Sequence, residues 1–320
     1  MSFKNTRYSS RIEARPTRVY KFLETMDKVI PWWDMVTEIN KVRKEKNNTW
    51  RPPISTLLLI KIYCLQLWWN ISDPGVEDRI YDSISFQRFL DIDITSDRIP
   101  DETTICRFRK LLTDNWLQDK MLEIINEKLD NAWLICKEWT IVDATIIEAS
   151  WSTKNKEEKR DPEMWHTRKR EKPYFWMKAH IWVDKKNGIV HTAKYTPANI
   201  HDSQMTEELL HWEEREIIWD SWYADEKKRD RLLFREWKNL ITCRRAYRNK
   251  PLTEDDRIWN RLVSWVRMRV ERPFWVIKGL WWHTKLRYKG ILKNAMQRTM
   301  LFALANIYRM RNKLLNTIIF

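Results

Sequence analysis

Apolar residues recur at helical spacing through the first 135 residues, and turn residues separate the stretches. The stretches cover Val19–Ile39, Ile54–Leu67, Val76–Leu90, Ile105–Leu112 and residues 117–131. Pro31 interrupts the first of them, so it predicts either one helix or two. The pattern predicts an all-helical N-terminal domain, 1–135.

The spacing changes at Thr140, where β-branched residues begin a predicted strand, Thr140–Ile147. A densely charged stretch, 151–172, predicts a solvated loop. Tyr174–Val183 alternates and leads through an Asn-Gly turn into a return strand, Ile189–Tyr195. Further strands are predicted at Glu216–Trp219 and Leu240–Cys243, and helices at Ser203–Arg215, Ala224–Lys238, 254–278 and 291–315. This order predicts a second domain of mixed α/β class, 136–320.

The chain carries a formal net charge of +15, with 59 Lys and Arg against 44 Asp and Glu. Such an excess favours a polyanionic partner, either nucleic acid or an anionic membrane surface, over a merely soluble basic protein. The sequence has neither an apolar run long enough for a membrane span nor a secretory signal. Its four cysteines form no CxxC pair, which argues against disulfide or zinc roles and fits a reducing cytoplasm.

Three carboxylates occupy informative positions in the predicted α/β domain. Asp143 lies inside the first strand, Asp220 ends the fourth predicted strand, and Glu271 lies on the helix that follows the last strand. A carboxylate within a β-branched strand needs a cation if it is buried. Together the three could hold Mg²⁺ ions for phosphoryl transfer. The alternative is an exposed strand-end aspartate and an ion-paired helix glutamate.

Arg267 and Lys278 lie four residues before and seven residues after Glu271. This spacing predicts one helical face that carries all three charges, although Pro273 should kink or restart the helix between Glu271 and Lys278. A carboxylate flanked by cations suits a metal-bound phosphodiester. An ordinary solvated ion-pair face would show the same spacing.

Longer motifs give the sequence a specific resemblance. They are Thr140–Ala149, Ser152–Asn155, Arg160–Met164, Tyr174–His180, Ala198–Asp202 and Val270–Phe274, with Arg51–Pro53, Leu67–Pro74, Ile99–Thr104, Arg287–Gly290 and Leu301–Asn306. In these residues the chain resembles the DDE transposases of bacterial insertion sequences, specifically the fifth insertion-sequence family. The resemblance covers nearly the whole chain.

The resemblance implies a ribonuclease-H-like mixed sheet flanked by helices, with Asp143, Asp220 and Glu271 as a metal-binding catalytic triad. It implies two Mg²⁺ ions, with Mn²⁺ as a substitute. The activity it implies is nicking of double-stranded DNA at terminal inverted repeats, followed by attack of the freed 3′-hydroxyl on target DNA. The expected protein is a homodimer or higher oligomer on DNA, cytoplasmic and nucleoid-associated, without membrane contact. Its helical N-terminal domain, 1–135, is expected to bind the DNA ends or a second subunit.

DNA contacts are expected from Arg267, Lys278 and Lys178. A tyrosine often found three residues before the arginine is replaced by Ser264. Lys285, Arg287 and Lys289 alternate beside Tyr288 and predict phosphate contacts, or else an exposed basic strand. His201, Asp202 and Tyr223 are candidate supporting residues, and His201 could equally satisfy a turn.

Two other functions remain open at this point. One is a catalytically dead, domesticated or decayed DNA-binding protein, which the intact triad disfavours. The other is a different nuclease of the same superfamily. The helical N-terminal region and the pair Arg267 and Lys278 disfavour the nuclease.

Tryptophan usage is abnormal. The chain has 4 glycines where about 22 are typical, and 21 tryptophans. Tryptophan stands where the family commonly has glycine at positions 50, 116, 133, 139, 176, 182, 212, 219, 222 and 282, whereas Trp32 and Trp68 fit as genuine. The hypothesis is that a UGA codon read as glycine by the source bacterium is written here as tryptophan. On that hypothesis Trp219 and Trp222 stand for glycines that let the backbone turn sharply beside the metals.

Overall fold

The computed structural model describes residues 16–43, 53–136, 139–149, 161–169, 172–200, 205, 215–219, 238–246 and 251–318. The chain divides into two units. The N-terminal unit comprises Met1–Lys128 with Ile307–Phe320, and the sheet unit comprises Leu129–Asn306. Among the described residues, no helix combines the length and apolarity needed to cross a membrane.

The N-terminal unit is built from helices, as predicted. They are α1 Arg18–Val29, α2 Trp32–Val42, α3 Thr56–Trp69, α4 Asp73–Asp82, α5 Ile84–Leu90, α6 Glu102–Asp114 and α7 Leu117–Asn131, the last of which continues into the sheet unit. Pro31 separates α1 from α2 because a proline cannot supply the amide hydrogen that a continuous helix needs.

Helix α3 forms the centre of this unit because it is apolar on every side, which is typical of a buried helix. Its one cation, Lys61, is buried and bonds to Asp27 at 2.7 Å and to the Phe89 carbonyl at 3.0 Å. The helices around it are capped by side chains: Ser72 caps α4 and Asp101 caps α6. Hydrogen bonds from Thr104 lower the pKa of the Asp101 carboxyl to about 2.

The sheet unit contains one mixed sheet in its described part. Its strands are β1 Trp139–Glu148, β2 Trp165–Lys169, β3 Lys172–Asp184, β4 Val190–Pro197, β5 Glu216–Trp219 and β6 Asn239–Thr242. The order is β2-β3-β1-β5-β6, with β4 also paired to β3. Strand β3 pairs antiparallel with β1, β2 and β4, whereas β5 pairs parallel with β1 and β6. This mixed sheet with flanking helices confirms the predicted fold class.

Two predictions about this unit were wrong. The stretch 151–172 was expected to be a loop throughout, yet β2 lies within it and pairs with β3. The predicted helix 254–278 is divided into α8 Glu254–Arg267, α9 Glu271–Trp275 and a π-helical turn, Val276–Leu280. The predicted helices Ser203–Arg215 and Ala224–Lys238 fall almost wholly outside the described residues.

The last helix, α10 Ile291–Ile318, is longer than predicted and belongs to both units. Its first turns lie beside a core formed by β1, β3 and the segment before the helix. That core comprises Ile147, Ala149, Met164, Phe175, Met177, Ala179 and Leu286, with Ile291 packed against it. Asn306 on the same helix exchanges hydrogen bonds with the backbone of Val190 at 2.9 and 2.6 Å. These contacts anchor the helix to β4.

Three tryptophans adopt left-handed backbone conformations. Trp116, Trp133 and Trp282 have φ angles of 54°, 58° and 59°. Each follows the end of a helix, at the position where glycine is strongly enriched. Just after the C-terminal end of α7, the Trp133 amide donates to the Asp130 carbonyl at 2.8 Å, and the Leu134 amide donates to the Leu129 carbonyl at 2.9 Å. This is the Schellman pattern, which requires the left-handed residue.

Candidate active site

Asp143 lies in the middle of β1, where it pairs with Ile181 of β3 and is half-buried. Because side chains alternate along a strand, Asp143, Thr145 and Ile147 share one face of the sheet. Ile147 belongs to the core beside α10, so this face is covered by the C-terminal part of the sheet unit. The Asp143 carboxylate therefore leaves the same face of the sheet that carries this apolar core.

Lys278 reaches this face from the π-helical turn. Its Nζ atom donates a hydrogen bond to the Thr145 Oγ1 atom at 2.9 Å, and it lies 5.7 Å from the centre of the Phe274 ring. Burial, and next the charge of Arg298, lower the pKa of the Lys278 ammonium, and the charge of Glu271 opposes them. The ammonium is thus held one pleat along the strand from Asp143, within electrostatic reach of Glu271.

Glu271 is the first residue of α9 and is exposed. The helix is interrupted between Arg267, which ends α8, and Glu271, which begins α9. The continuous helical face predicted for Arg267, Glu271 and Lys278 is therefore not formed. Pro273 lies in the first turn of α9, where its missing amide hydrogen costs nothing, so the break comes before Glu271. The hydrogen bond to Thr145 nevertheless brings Lys278 to the face of β1 that carries Asp143, and Glu271 is close enough to Lys278 for its charge to oppose the lowering of the Lys278 pKa.

The other predicted DNA contacts are placed differently. Arg267 is half-buried at the end of α8. Lys178 pairs with Ile146 in the register of β1 and β3, so its side chain lies on the face opposite Asp143. Its Nζ atom donates to the Ile200 carbonyl at 2.7 Å. The structure therefore does not bring Lys178 to Asp143.

The predicted phosphate contacts lie in a segment without regular helix or strand structure, 283–290, which we call the basic segment. Lys285, Arg287 and Lys289 are exposed, while Leu286 between them is buried in the core. Lys285 forms a bridge with Glu148 at the end of β1, and the Leu286 amide donates to the Glu148 carbonyl at 2.8 Å. The three alternating cations are thus exposed to solvent, while Leu286 points into the core.

Polar side chains hold the backbone of the basic segment. The fully buried Arg298 donates to the carbonyls of His283 and Lys285 at 2.8 and 2.9 Å. Burial lowers the pKa of its guanidinium to about 10. Asn294 bonds to the amide and carbonyl of Tyr288.

The end of the basic segment is also the N-terminus of α10, and two carboxylates cap it. Asp161 accepts from the Gly290 amide at 2.6 Å, and Glu163 accepts from the Ile291 amide at 2.7 Å. Negative charge is favourable at a helix N-terminus. The cap fixes the segment from its C-terminal side.

Four predicted residues, Asp220, His201, Asp202 and Tyr223, lie outside the described residues. Within the described ranges no group of three or more His, Cys, Asp or Glu side chains could hold a metal ion. Asp143 and Glu271 carry carboxylate oxygens, the ligand type that Mg²⁺ prefers, and Mg²⁺ needs only one or two such groups from a protein.

No sequence signal pointed to Thr145 and Arg298 as parts of this arrangement. A threonine in a strand and an arginine in an amphipathic helix are ordinary residues. The motif Arg160–Met164 was noticed only as part of the family resemblance, and the capping by Asp161 and Glu163 explains two of its residues.

Comparison with known proteins gives three findings. Residues 135–307 match the model of the family described as the transposase DDE domain, and residues 10–111 match a second family, described as a transposase domain. The cryo-EM structure of a piggyBac transposase synaptic complex with hairpin DNA aligns with 98% of this chain and 78% of that chain. The TM-score is 0.47 and the sequence identity is 12%.

Proposed function

Because this chain belongs to the transposase DDE domain family, we propose that it cleaves DNA strands at the ends of an insertion sequence and joins the freed 3′-hydroxyl to target DNA. The observation that supports this most is the hydrogen bond between Lys278 and Thr145. It brings the segment that begins at Glu271 to the face of β1 that carries Asp143. Two carboxylates and a cation on one side of the sheet suit a phosphodiester with bound metal.

In this proposal Asp143, Asp220 and Glu271 hold two Mg²⁺ ions, for which Mn²⁺ can substitute. Asp220 is included for two reasons, although it lies outside the described residues. It follows β5 directly in the sequence. Moreover, β1 and β5 pair Thr140 with Ile217 and Ile141 with Ile218, and each pair has the same separation in sequence as Asp143 and Asp220.

Bound Mg²⁺ would supply activation of the attacking oxygen and stabilisation of the leaving oxygen. The chain's own cations would orient the DNA. Lys278 and Arg267 would contact the scissile strand near Asp143, and Lys285, Arg287 and Lys289 would contact its flanking phosphates. Lys178, on the other face of the sheet, would contact DNA only away from the cleavage point.

The proposal extends to the partners of the protein. Double-stranded DNA, as terminal inverted repeats and as target, matches the net charge of +15. A homodimer or higher oligomer on DNA and a location at the cytoplasmic nucleoid belong to the same proposal. His201, Asp202 and Tyr223 keep supporting roles in it.

The test is cleavage of a linear duplex that carries the repeats flanking the gene. We expect strand cleavage that requires Mg²⁺ or Mn²⁺ and stops with EDTA. Asp143→Asn and Glu271→Gln should each lower the rate at least about a hundredfold, with binding to the duplex retained in Ca²⁺. The matched control is Glu254→Gln, which changes the first residue of α8 as Glu271→Gln changes the first residue of α9.

Cleavage by Glu271→Gln at the rate of the unchanged chain would refute the assigned site. Tight binding of the repeats without any cleavage by the unchanged chain would instead favour the catalytically dead, DNA-binding alternative.

A further inference from the structure

We propose that Thr145 is a positioning residue: its hydroxyl fixes the Lys278 ammonium beside Asp143 and couples the segment containing Glu271 to β1. The inference deepens the proposed function and rests on it for its consequence at DNA. The hydrogen bond of 2.9 Å from Lys278 Nζ to Thr145 Oγ1 carries it.

Thr145 is suited to this task by its place in the sheet. It follows Asp143 by two residues, so both side chains leave the same face of β1. Its cross-strand partner is Ala179, whose small side chain leaves room above the strand. Because threonine is β-branched, its first side-chain torsion is stiff and the hydroxyl stays in place.

Lys278 needs such a partner because a lysine is long and flexible. Free rotation would let its ammonium sample positions away from the carboxylates, and ordering it only on DNA binding would weaken that binding. In the structure it is half-buried, near Phe274 and bonded to Thr145. The free protein therefore already holds the cation where a phosphate beside Asp143 would meet it.

The π-helical turn adds to this constraint. Glu271 and Lys278 belong to one continuous stretch, α9 followed by the π-helical turn. Fixing Lys278 on β1 therefore also limits how far Glu271 can move from Asp143. π-Helical turns are rare in proteins, and those that occur often lie at functional sites. Thr145 thus acts through Lys278 on the spacing of the two described carboxylates.

The experiment compares three variants of the full-length chain. Thr145→Val removes the hydroxyl and keeps the shape, whereas Thr145→Ser keeps the hydroxyl. Thr140→Val makes the same change on the same strand at the opposite face, at a buried threonine whose hydroxyl has no hydrogen-bond partner in the described part of the chain.

The first readout is the acetylation rate of Lys278 in the free protein, followed by mass spectrometry and normalised to the exposed Lys186 in the same sample. We expect Thr145→Val to raise the rate about tenfold, because the ammonium loses its charge-assisted hydrogen bond. Thr145→Ser and Thr140→Val should leave it within about twofold. An unchanged rate in Thr145→Val would overturn the inference, whatever the protein does with DNA.

The second readout is the affinity for the terminal repeat in Ca²⁺. Thr145→Val should weaken binding about tenfold. The double variant with Lys278→Met should bind no more weakly than Lys278→Met alone, because both changes remove the same hydrogen bond. Additive losses would show that Thr145 acts independently of Lys278. If neither the unchanged chain nor the chain with glycine at the ten tryptophan positions binds or cleaves the repeat, the proposed function fails, while the acetylation rate still decides the role of Thr145.

Discussion

Individual tryptophans fall into two groups with different physical settings. Trp32 and Trp68 are buried among aromatic rings, and the Trp32 indole donates to the Asp27 carbonyl at 3.1 Å. Trp116, Trp133 and Trp282 are exposed by 56%, 86% and 73% at positive φ. The first group uses its indoles for packing, whereas the second places them in solvent on a backbone that favours glycine. This difference supports the glycine hypothesis at positions 116, 133 and 282 independently of any resemblance.

We predict that Trp133→Gly raises the free energy of unfolding by about 1 kcal/mol, because it removes the left-handed strain of a residue with a Cβ atom. Urea denaturation measures it. The matched control is Trp33→Gly, which changes an exposed tryptophan inside α2 and should instead destabilise by about 1 kcal/mol. Destabilisation by both changes would contradict the interpretation of position 133.

Trp219 requires a correction. We expected a glycine-like sharp turn there, yet Trp219 is the last residue of β5 and is not among the described residues with positive φ. It is fully buried with Trp182, Val142, Ile217 and Leu240 on the face opposite Asp143. If glycine belongs at 182 and 219, the physical reason is close approach of a covering layer to the sheet. Trp222 lies outside the described residues.

At the scale of elements, hydrophobic spacing predicted nearly every described helix and most strands, because each has a clear period and turn residues at its ends. Strand β2 was missed because its five residues, Trp165–Lys169, are mostly polar and their partner β3 supplies the pairing. An interruption of 254–278 was predicted from Pro273, but the break lies before Glu271, because Pro273 is tolerated in the first turn of the new helix. The pairing of β2 is not encoded locally.

The candidate site was partly predictable for the same reason. Asp143 stands out because a charge interrupts an apolar strand, and Glu271 because cations lie four residues before it and seven residues after it. Thr145 and Arg298 have partners far away in sequence, across 133 and 15 residues respectively. Such contacts follow from tertiary structure alone.

Arg298 allows a prediction about the basic segment. We expect Arg298→Lys to lower the free energy of unfolding by about 2 kcal/mol, because a lysine keeps the buried charge but cannot bridge two carbonyls. The Leu286 amide should then exchange faster with deuterium. Arg311→Lys, on the half-buried part of the same helix, is the control and should change neither quantity measurably. Unchanged exchange at Leu286 would contradict the holding role of Arg298.

At the scale of the whole molecule, the charge of +15 predicts DNA binding that weakens steeply with salt. Replacing Lys285, Arg287 and Lys289 together by glutamine should reduce the slope of log affinity against log salt by about 2 to 3, since each lost phosphate contact removes about 0.9. The loss should be equal for repeat and unrelated DNA. Lys186→Gln, in an exposed turn after β3, should leave the slope unchanged. A loss restricted to the repeat would indicate base recognition instead.

The tryptophans also have a collective effect. Strain and overpacking of about 1–3 kcal/mol at each of several sites would exceed the total stability of a typical protein, about 5–15 kcal/mol. We predict that a chain with glycine at the ten positions is soluble and cleaves DNA, whereas the chain as written folds poorly. Equal soluble yield and equal cleavage by both chains would refute this. Sequencing the gene decides the codon question, because UGG at these positions would end the hypothesis.

The membership of α10 in both units has a consequence for synthesis on the ribosome. Residues 307–320 belong to the N-terminal unit, where Tyr308 packs 5.9 Å from Phe22. A ribosome that makes about 5–20 residues per second therefore finishes the sheet unit before it delivers the last piece of the unit it began with. The first unit to emerge is the last to be completed. A transcript that ends just after the codon for Asn306 would thus yield a chain with every residue of the sheet unit and without residues 307–320 of the helical unit.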